Sequence, residues 1–342
     1  MPKFVPGLDL NAAFYSEAVE PLIANVPHAA ARLGWGSEVL GFDTERSTDH
    51  GWGPQLLVFV GPESVDATRR LIDDGLPATF RGWPVRYGWD DEPVRHHVSV
   101  ATLGAWLLEQ LGVDASDSLG SLDWLVMPQQ KLLEVTAGAV YRDDTHELTK
   151  VRERLRWYPD DVWLWMIASQ WRRIAQEEAF VGRAAEVGDE LGSRVMAARL
   201  ARELMRLWFL FARAYWPYTK WFGSAFTRLP ESASLSQSLE SALAADNYAD
   251  REAALAAAYT VVADRHNEAR ITDVVDGSVR FFYGRPYRVL MADRFVDACL
   301  ARVTNAQLKR LPLVGSVDQV ADSTDLLTNS ALARRTRSLY RD

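Results

Sequence analysis

From Pro159 to Glu268 the chain is dominated by Ala, Leu, Arg and Glu, whereas its first 150 residues mix short apolar runs with frequent Gly and Pro. A change of texture on that scale limits the fold more than any single motif. Apolar residues that recur every three or four positions belong to helices, and those that alternate at two belong to strands. The sequence therefore predicts an α/β domain over residues 1–150 and a larger, all-α domain over 151–342. The total of 342 residues suits two domains of ordinary size.

Within the first part, the spacing of Phe14, Val19, Leu22 and Ile23 predicts a helix over Leu10 to Asn25. Ala29 to Leu33 reads as a short buried strand, and the apolar run Gln55 to Val60 as a strand covered on both faces. Val94 to Val100 (VRHHVSV) alternates, as a strand with one polar face does, and Thr102 to Leu111 returns to helical spacing. The turn-forming segment Val113 to Ser121 predicts a loop ahead of the Leu122 to Met127 run. In the second part, Pro159-Asp160 marks a helix start. Long amphipathic helices are predicted over Val162 to Val187 and Leu191 to Trp216, the second stopped by Pro217. Arg228 to Ser238 reads as a connection, followed by helices at Asp250 to Glu268 and Ala292 to Val303.

Charge and cysteine content narrow the function classes. A formal net charge of −8, with no run of Lys or Arg, argues against nucleic acid or an anionic membrane as partner. The one cysteine, Cys299, excludes an internal disulfide and a cysteine-based zinc site, in keeping with a reducing, cytoplasmic setting. The longest apolar stretch, Val162 to Ala168, is too short to span a bilayer. The phosphate loop, the dinucleotide glycine motif, the Gly-x-Ser-x-Gly elbow and His-Glu-x-x-His are all missing from the sequence. His96 and His97 are adjacent on a predicted strand, so they face opposite ways and read as structural.

One constellation remains. The run from Gly34 to Pro54 (GWGSEVLGFDTERSTDHGWGP) puts a Gly-Ser pair and the acids Asp43, Glu45 and Asp49 ahead of the apolar strand. The pair alone says little, since the chain holds six Gly-Ser dipeptides; its acidic company gives it weight. The plainer alternative is a solvated loop of ordinary turn residues. The arrangement resembles the front of a polymerase-beta-type nucleotidyltransferase. Together with the stretch from Gln176 to Phe226 and the tail elements GRPYRV and LPLVGSVDQVADSTDLL, it also resembles a bacterial family known as domain of unknown function 4037.

That resemblance implies a nucleotidyltransferase-like α/β domain with a mixed sheet, packed on the helical domain, using ATP and Mg²⁺. By position, Gly36 and Ser37 match the triphosphate-binding turn and Asp49 the first metal carboxylate. Gly51 stands where the second carboxylate is expected, and VRHHVSV offers His97 and Ser99 where a third is expected. Asp43 and Glu45 are the acids that could complete the metal set. On the helical side, Glu177 or Glu178 matches the general base that acts on an acceptor hydroxyl, and Arg194 and Lys220 suit triphosphate oxygens. The stripe Gln170, Arg173 and Glu177 lies at helical spacing beside apolar residues, as a site or as an interhelical salt-bridge system would.

The function implied is transfer of a nucleotide, AMP from ATP, to a hydroxyl of a small-molecule acceptor. The alternative is a degenerate relative that binds a nucleotide or small metabolite without transfer, a reading that Gly51 and Ser99 favour. A third is different chemistry in the same cleft, using the retained acids without metal. Of the 13 Trp, Trp35, Trp52, Trp83 and Trp89 are expected around the cleft, where rings could stack on a base. Trp157, Trp163, Trp165, Trp171, Trp208, Trp216 and Trp221 are expected to pack between helices. Long aromatic helices also suit a homodimer.

Overall fold

The computed structural model describes residues 2–90, 92–115 and 118–340, and the chain divides into two compact units. The first comprises residues 1–119, 130–156 and 328–331, and the second residues 120–129, 157–327 and 332–342. The protein is mixed α/β, as the change of texture implies.

The first unit opens with helix α1 (Gly7–Phe14), which runs on through a π-helical turn, Tyr15–Val19, into a last turn, Glu20–Ile23. Pro21 lacks the N–H that would bond back to Glu17, which helps widen the helix at that point. Next come β1 (Ala29–Arg32), β2 (Gln55–Phe59), α2 (Val65–Gly75), β3 (Arg86–Trp89), β4 (Glu92–Ala101), α3 (Leu103–Leu111) and β5 (Ala139–Asp143). The five strands form one mixed sheet in the order β3-β4-β2-β1-β5. β1 is antiparallel to β2, while β2 and β4 are parallel, with Gln55 opposite His97 and Leu57 opposite Ser99.

Strand alternation separates the two faces of this sheet. Leu56 and Val58 of β2, Val98 and Val100 of β4 and Ala30 of β1 join Phe14, Tyr15, Val19, Ile23, Ile72 and Leu76 in one apolar core under the first helix and α2. Ser99, on an inner strand, is nevertheless exposed, because the opposite face is left open there. Trp106 of α3 packs on Phe59 at one end of that open face, with ring centroids 5.3 Å apart.

The second unit is built on α4 (Asp160–Glu177), α5 (Phe180–Glu186), α6 (Glu190–Phe211), α7 (Ala233–Ala244) and α8 (Tyr248–Glu268). A hairpin, β6 (Arg280–Phe282) and β7 (Arg285–Val289), and helix α9 (Asp293–Arg302), which carries the buried Cys299, follow. Among the described residues no helix is long and apolar enough to cross a membrane.

The two units interleave along the chain where domains over 1–150 and 151–342 are expected, and in the second unit three helix boundaries differ most from the sequence reading. The expected helix over Val162 to Val187 is broken at Glu178 and Ala179 into α4 and α5. There the Glu178 carboxylate accepts the N–H groups of Leu290, Met291 and Ala292 at 2.8, 3.1 and 3.0 Å, tying this break to the N-terminus of α9. Helix α6 stops at Phe211, ahead of Pro217. Arg213 turns left-handed (φ 50°), Ala214 N–H bonds Phe209 O and Arg213 N–H bonds Leu210 O, the pairing of a Schellman C-terminus. The segment expected as a connection over Arg228 to Ser238 already turns into α7 at Ala233.

Candidate functional site

The open face of the sheet forms the floor of a pocket of about 940 Å³ in the first unit. His97, Ser99 and Leu57 lie on the floor, Trp106 and Glu109 of α3 close one side, and Trp35 and Trp89 stand at another. Several of its rim residues are paired. Arg95 bonds Glu92 at 3.2 Å, His96 meets Asp73 at 2.5 Å, and Arg69 bonds Asp66 at 3.1 Å and the carbonyl of Val100 at 3.3 Å.

The turn after β1 is organised around one buried cation. Arg32 donates to Leu33 O at 2.5 Å, to Trp35 O at 2.7 Å and to the Glu38 carboxylate at 2.5 Å, and neither side chain is more than 5 % exposed. Drawing the carbonyls of Leu33 and Trp35 inward to one guanidinium requires backbone of unusual hand. Gly34 and Gly36 supply it with φ values of 87° and 132°, and a Cβ on Gly36 would sit 2.6 Å from the Arg32 guanidinium and 2.7 Å from Glu38. Among the described residues, the N–H groups of Trp35, Gly36, Ser37 and Glu38 have no protein acceptor. Successive free N–H groups in a turn of this kind form a concavity suited to an anion.

The acids expected at a metal are differently engaged. Asp43 Oδ2 accepts the N–H of Gly7 at 2.7 Å and the indole N–H of Trp52 at 3.1 Å, so it caps α1 and pins the loop to it. Glu45 is exposed, within a single 3₁₀ turn. Asp49 is exposed too, with its carboxylate 2.8 Å from His50 Nδ1 and 3.6 Å from Arg46 Nε; the His50 hydrogen bond holds it below the ordinary carboxylate range. Gly51 has φ 63°, and a Cβ there would come within 3.0 Å of the Trp35 ring and 3.8 Å of Trp89. An indole thus covers the place from which a carboxylate would project. Among the described residues no three His, Cys, Asp or Glu side chains are grouped to hold a metal ion, and the acids of this loop do not fit a two-ion site.

Of the four tryptophans expected at the cleft, two are there. Trp35 is half exposed and its ring centre lies 5.6 Å from that of Trp89. Trp52 and Trp83 are instead buried, and they pack edge to face at 4.8 Å on the far side of the sheet, against Phe4 and the core. Beside Trp89 lies His97, with ring centroids 4.9 Å apart, and Tyr87 packs on His97 at 4.4 Å, so Trp35, Trp89 and His97 form an aromatic side of the pocket.

The residues expected from the helical part lie in the second unit. Glu177 is paired with Arg199 at 2.7 Å, and its neighbours on the stripe are consumed by an ionic core. Arg173 bonds Glu203 with both ends of its fork at 2.9 and 3.1 Å, Gln170 reaches the same carboxylate at 2.5 Å, and Arg206 lies 3.3 Å away while also bonding Asp322 at 3.0 Å. Burial alone pushes Glu203 upward, but the bonds from Arg173 and the charge of Arg206 outweigh it and hold the carboxyl below its usual range. Glu178, the other base candidate, is the α9 cap described above; burial pushes it up to about 7. Arg194 bonds Glu190 at 2.9 Å and the carbonyl of Asp246 at 3.0 Å. Lys220 is exposed, its ammonium 4.9 Å from the ring centre of Trp221.

Sequence reasoning missed Arg32, Glu38 and Tyr87. A signal for the first two was present, since Arg32 is the one charge at the end of an otherwise apolar strand and Glu38 directly follows the Gly-Ser pair. Residues 124–222, under a third of the chain, match the model of the family described as domain of unknown function (DUF4037). That stretch lies outside the turn and pocket of the first unit. No curated protein and no solved structure is significantly similar to the chain.

Proposed function

We propose that the chain is a nucleotidyltransferase-like protein whose first unit binds a nucleotide, or a small metabolite of the same chemistry, without metal-dependent transfer. The observation that carries this reading is the turn Trp35 to Glu38, with four N–H groups that lack a protein acceptor among the described residues, which meets a large pocket at Trp35. The donors suit phosphate oxygens, and Trp35 and Trp89 offer flat surfaces to a base. An antiparallel β1/β2 pair followed by a parallel β4, with the turn between β1 and β2, agrees with the architecture that the resemblance implies. The binding reading is preferred to transfer because Asp43 caps a helix, Gly51 has no side chain and Ser99 and His97 occupy the adjacent strand.

Transfer of AMP from ATP to a small-molecule hydroxyl remains the second reading, and one observation favours it. Asp49 is ionised and open to solvent, at 52 % exposure. The two separate in a calorimetric titration with ATP, run with Mg²⁺ and with a chelator, on the natural chain and on Asp49→Ala. Equal affinity in all four runs supports binding without metal. Affinity that needs Mg²⁺ and vanishes in Asp49→Ala supports transfer, and heat-silent titrations throughout would sink both.

A further inference from the structure

His97 stands on β4 opposite Gln55 of β2, and its neighbours Val98 and Val100 point into the core. Alternation therefore turns His97 and Ser99 to the open face, where both line the pocket. The imidazole Nε2 lies 3.0 Å from the carbonyl oxygen of Tyr87. A carbonyl oxygen only accepts, so Nε2 carries the ring proton and Nδ1 keeps its lone pair. Tyr87 and Trp89 pack on the ring at centroid distances of 4.4 and 4.9 Å and hold its orientation. Burial lowers the pKa of His97, which keeps the ring neutral near neutral pH. Among the described residues no protein donor reaches Nδ1.

We propose that His97 is a ligand-binding residue of this pocket, its Nδ1 accepting a hydrogen bond from a hydroxyl or amino group of the bound nucleotide. The inference rests on the nucleotide reading above and makes it more specific. The turn at Trp35 to Glu38 offers backbone N–H donors without a protein acceptor, and His97 presents an acceptor fixed in one tautomer. A ligand that satisfies both carries an anion at one end and a donor at the other, which a nucleotide does through its phosphates and its ribose hydroxyls or exocyclic amine.

Two substitutions divide the imidazole between its nitrogens. His97→Gln keeps an amide donor near Nε2 for Tyr87 O and removes the acceptor; His97→Asn places an amide oxygen near Nδ1 and gives up the Tyr87 bond. With ATP as the probe, His97→Gln is expected to weaken binding roughly tenfold, the factor that one lost neutral hydrogen bond gives, while His97→Asn stays within about threefold of the natural chain. In the natural chain labelled with ¹⁵N-histidine, the Nδ1 resonance of His97 should have the position of an unprotonated nitrogen and should move on adding ATP. Unchanged affinity in His97→Gln, equal losses in both variants, or an Nδ1 signal that ignores ATP while the natural chain binds it would each overturn the role and leave the nucleotide reading standing. No ATP binding by the natural chain would overturn that reading, and this assignment with it.

Discussion

Each unit buries an arginine against a glutamate, and the two pairs serve opposite ends. In the second unit, Glu203 is saturated by side chains from α4 and α6 and lies in a packed core, with Arg206 beneath 2 % exposure. In the first, Arg32 takes one carboxylate and two backbone carbonyls of a turn whose own N–H groups, from Trp35 to Glu38, have no protein acceptor among the described residues. A buried ion pair thus closes a packed core in one place and, in the other, shapes the turn at which binding is proposed. The deciding difference is whether the guanidinium is satisfied by side chains or by the loop that it shapes.

The largest expected effect tests the closed network. Glu203→Ala would leave the buried Arg206 and the partly buried Arg173 without their shared counter-charge, and removing one partner of a buried pair costs about 3–5 kcal/mol. Urea unfolding of the variant should show that loss, while ATP affinity of the folded fraction stays the same. A loss under about 1 kcal/mol would mean that water reaches these groups, and the contrast between the two units would fail. Glu38→Gln tests the open one. Arg32 keeps two carbonyl acceptors, so stability should fall by less, about 3 kcal/mol at the lower end of that range. The freed positive charge beside the turn should then raise ATP affinity several-fold at low salt, an effect that added salt removes. If the affinity falls instead, Glu38 acts on the ligand by holding the shape of the turn and its charge is secondary.

The same contrast explains what was legible in the sequence. Strands Gln55 to Val60 and Val94 to Val100 and the helix from Asp160 follow from periodicity, because a buried stripe must recur with the period of its element. The Gly-Ser turn reads as a site candidate in the sequence only through the acids Asp43, Glu45 and Asp49 that follow it. The use of Arg32 was not, because the contact depends on how the loop folds back over its own strand. The stripe Gln170, Arg173 and Glu177 read equally as a site or as a salt-bridge system, and only the position of Glu203 on the facing helix decides for the latter. Trp52 and Trp83 are expected at the cleft, but the fold of their loops packs both into the core on the opposite face of the sheet. Helix ends at Glu178 and Arg213 were invisible because each is set by hydrogen bonds that no periodicity encodes.

Acid titration offers a third way to sharpen the comparison, since the interior of the second unit is titratable. Asp318 is buried, accepts the N–H of Gln129 at 3.0 Å, and is pushed up to about 7 by desolvation, partly opposed by that bond and by the charge of Arg206. Its folded pKa stands above its unfolded one, so the folded state holds the proton longer. The stabilising contribution is complete below about pH 4 and is lost as pH rises to about 7, at roughly 1 kcal/mol per pH unit. Glu178 acts in the same direction, while His266, lowered to about 4 by burial, acts in the opposite one between about pH 4 and 6.5. The group is isolated by difference. Stability of the natural chain minus that of Asp318→Asn should decline between pH 4.5 and 7, and a flat difference would show that Asp318 is ionised throughout.

The smallest expected effect falls where the first unit departs most from a metal-binding loop. Gly51→Ala places a Cβ within 3.0 Å of the Trp35 ring at a φ of 63°, so the backbone strain alone costs about 1 kcal/mol. Trp35 is half exposed and can yield by tilting, which should change its fluorescence and reduce its contact with Trp89. If Trp35 supplies a stacking surface, ATP affinity drops a few-fold even though no atom of residue 51 touches the ligand. Gly51→Asp carries the same strain and adds a carboxylate, so the pair of variants separates shape from charge. Equal losses in both identify the glycine as the seat of an aromatic wall. A recovery of affinity in Gly51→Asp that depends on Mg²⁺ would instead identify it as a vacated metal position, and the free turn at Trp35 to Glu38 would then be the surviving half of a transferase site.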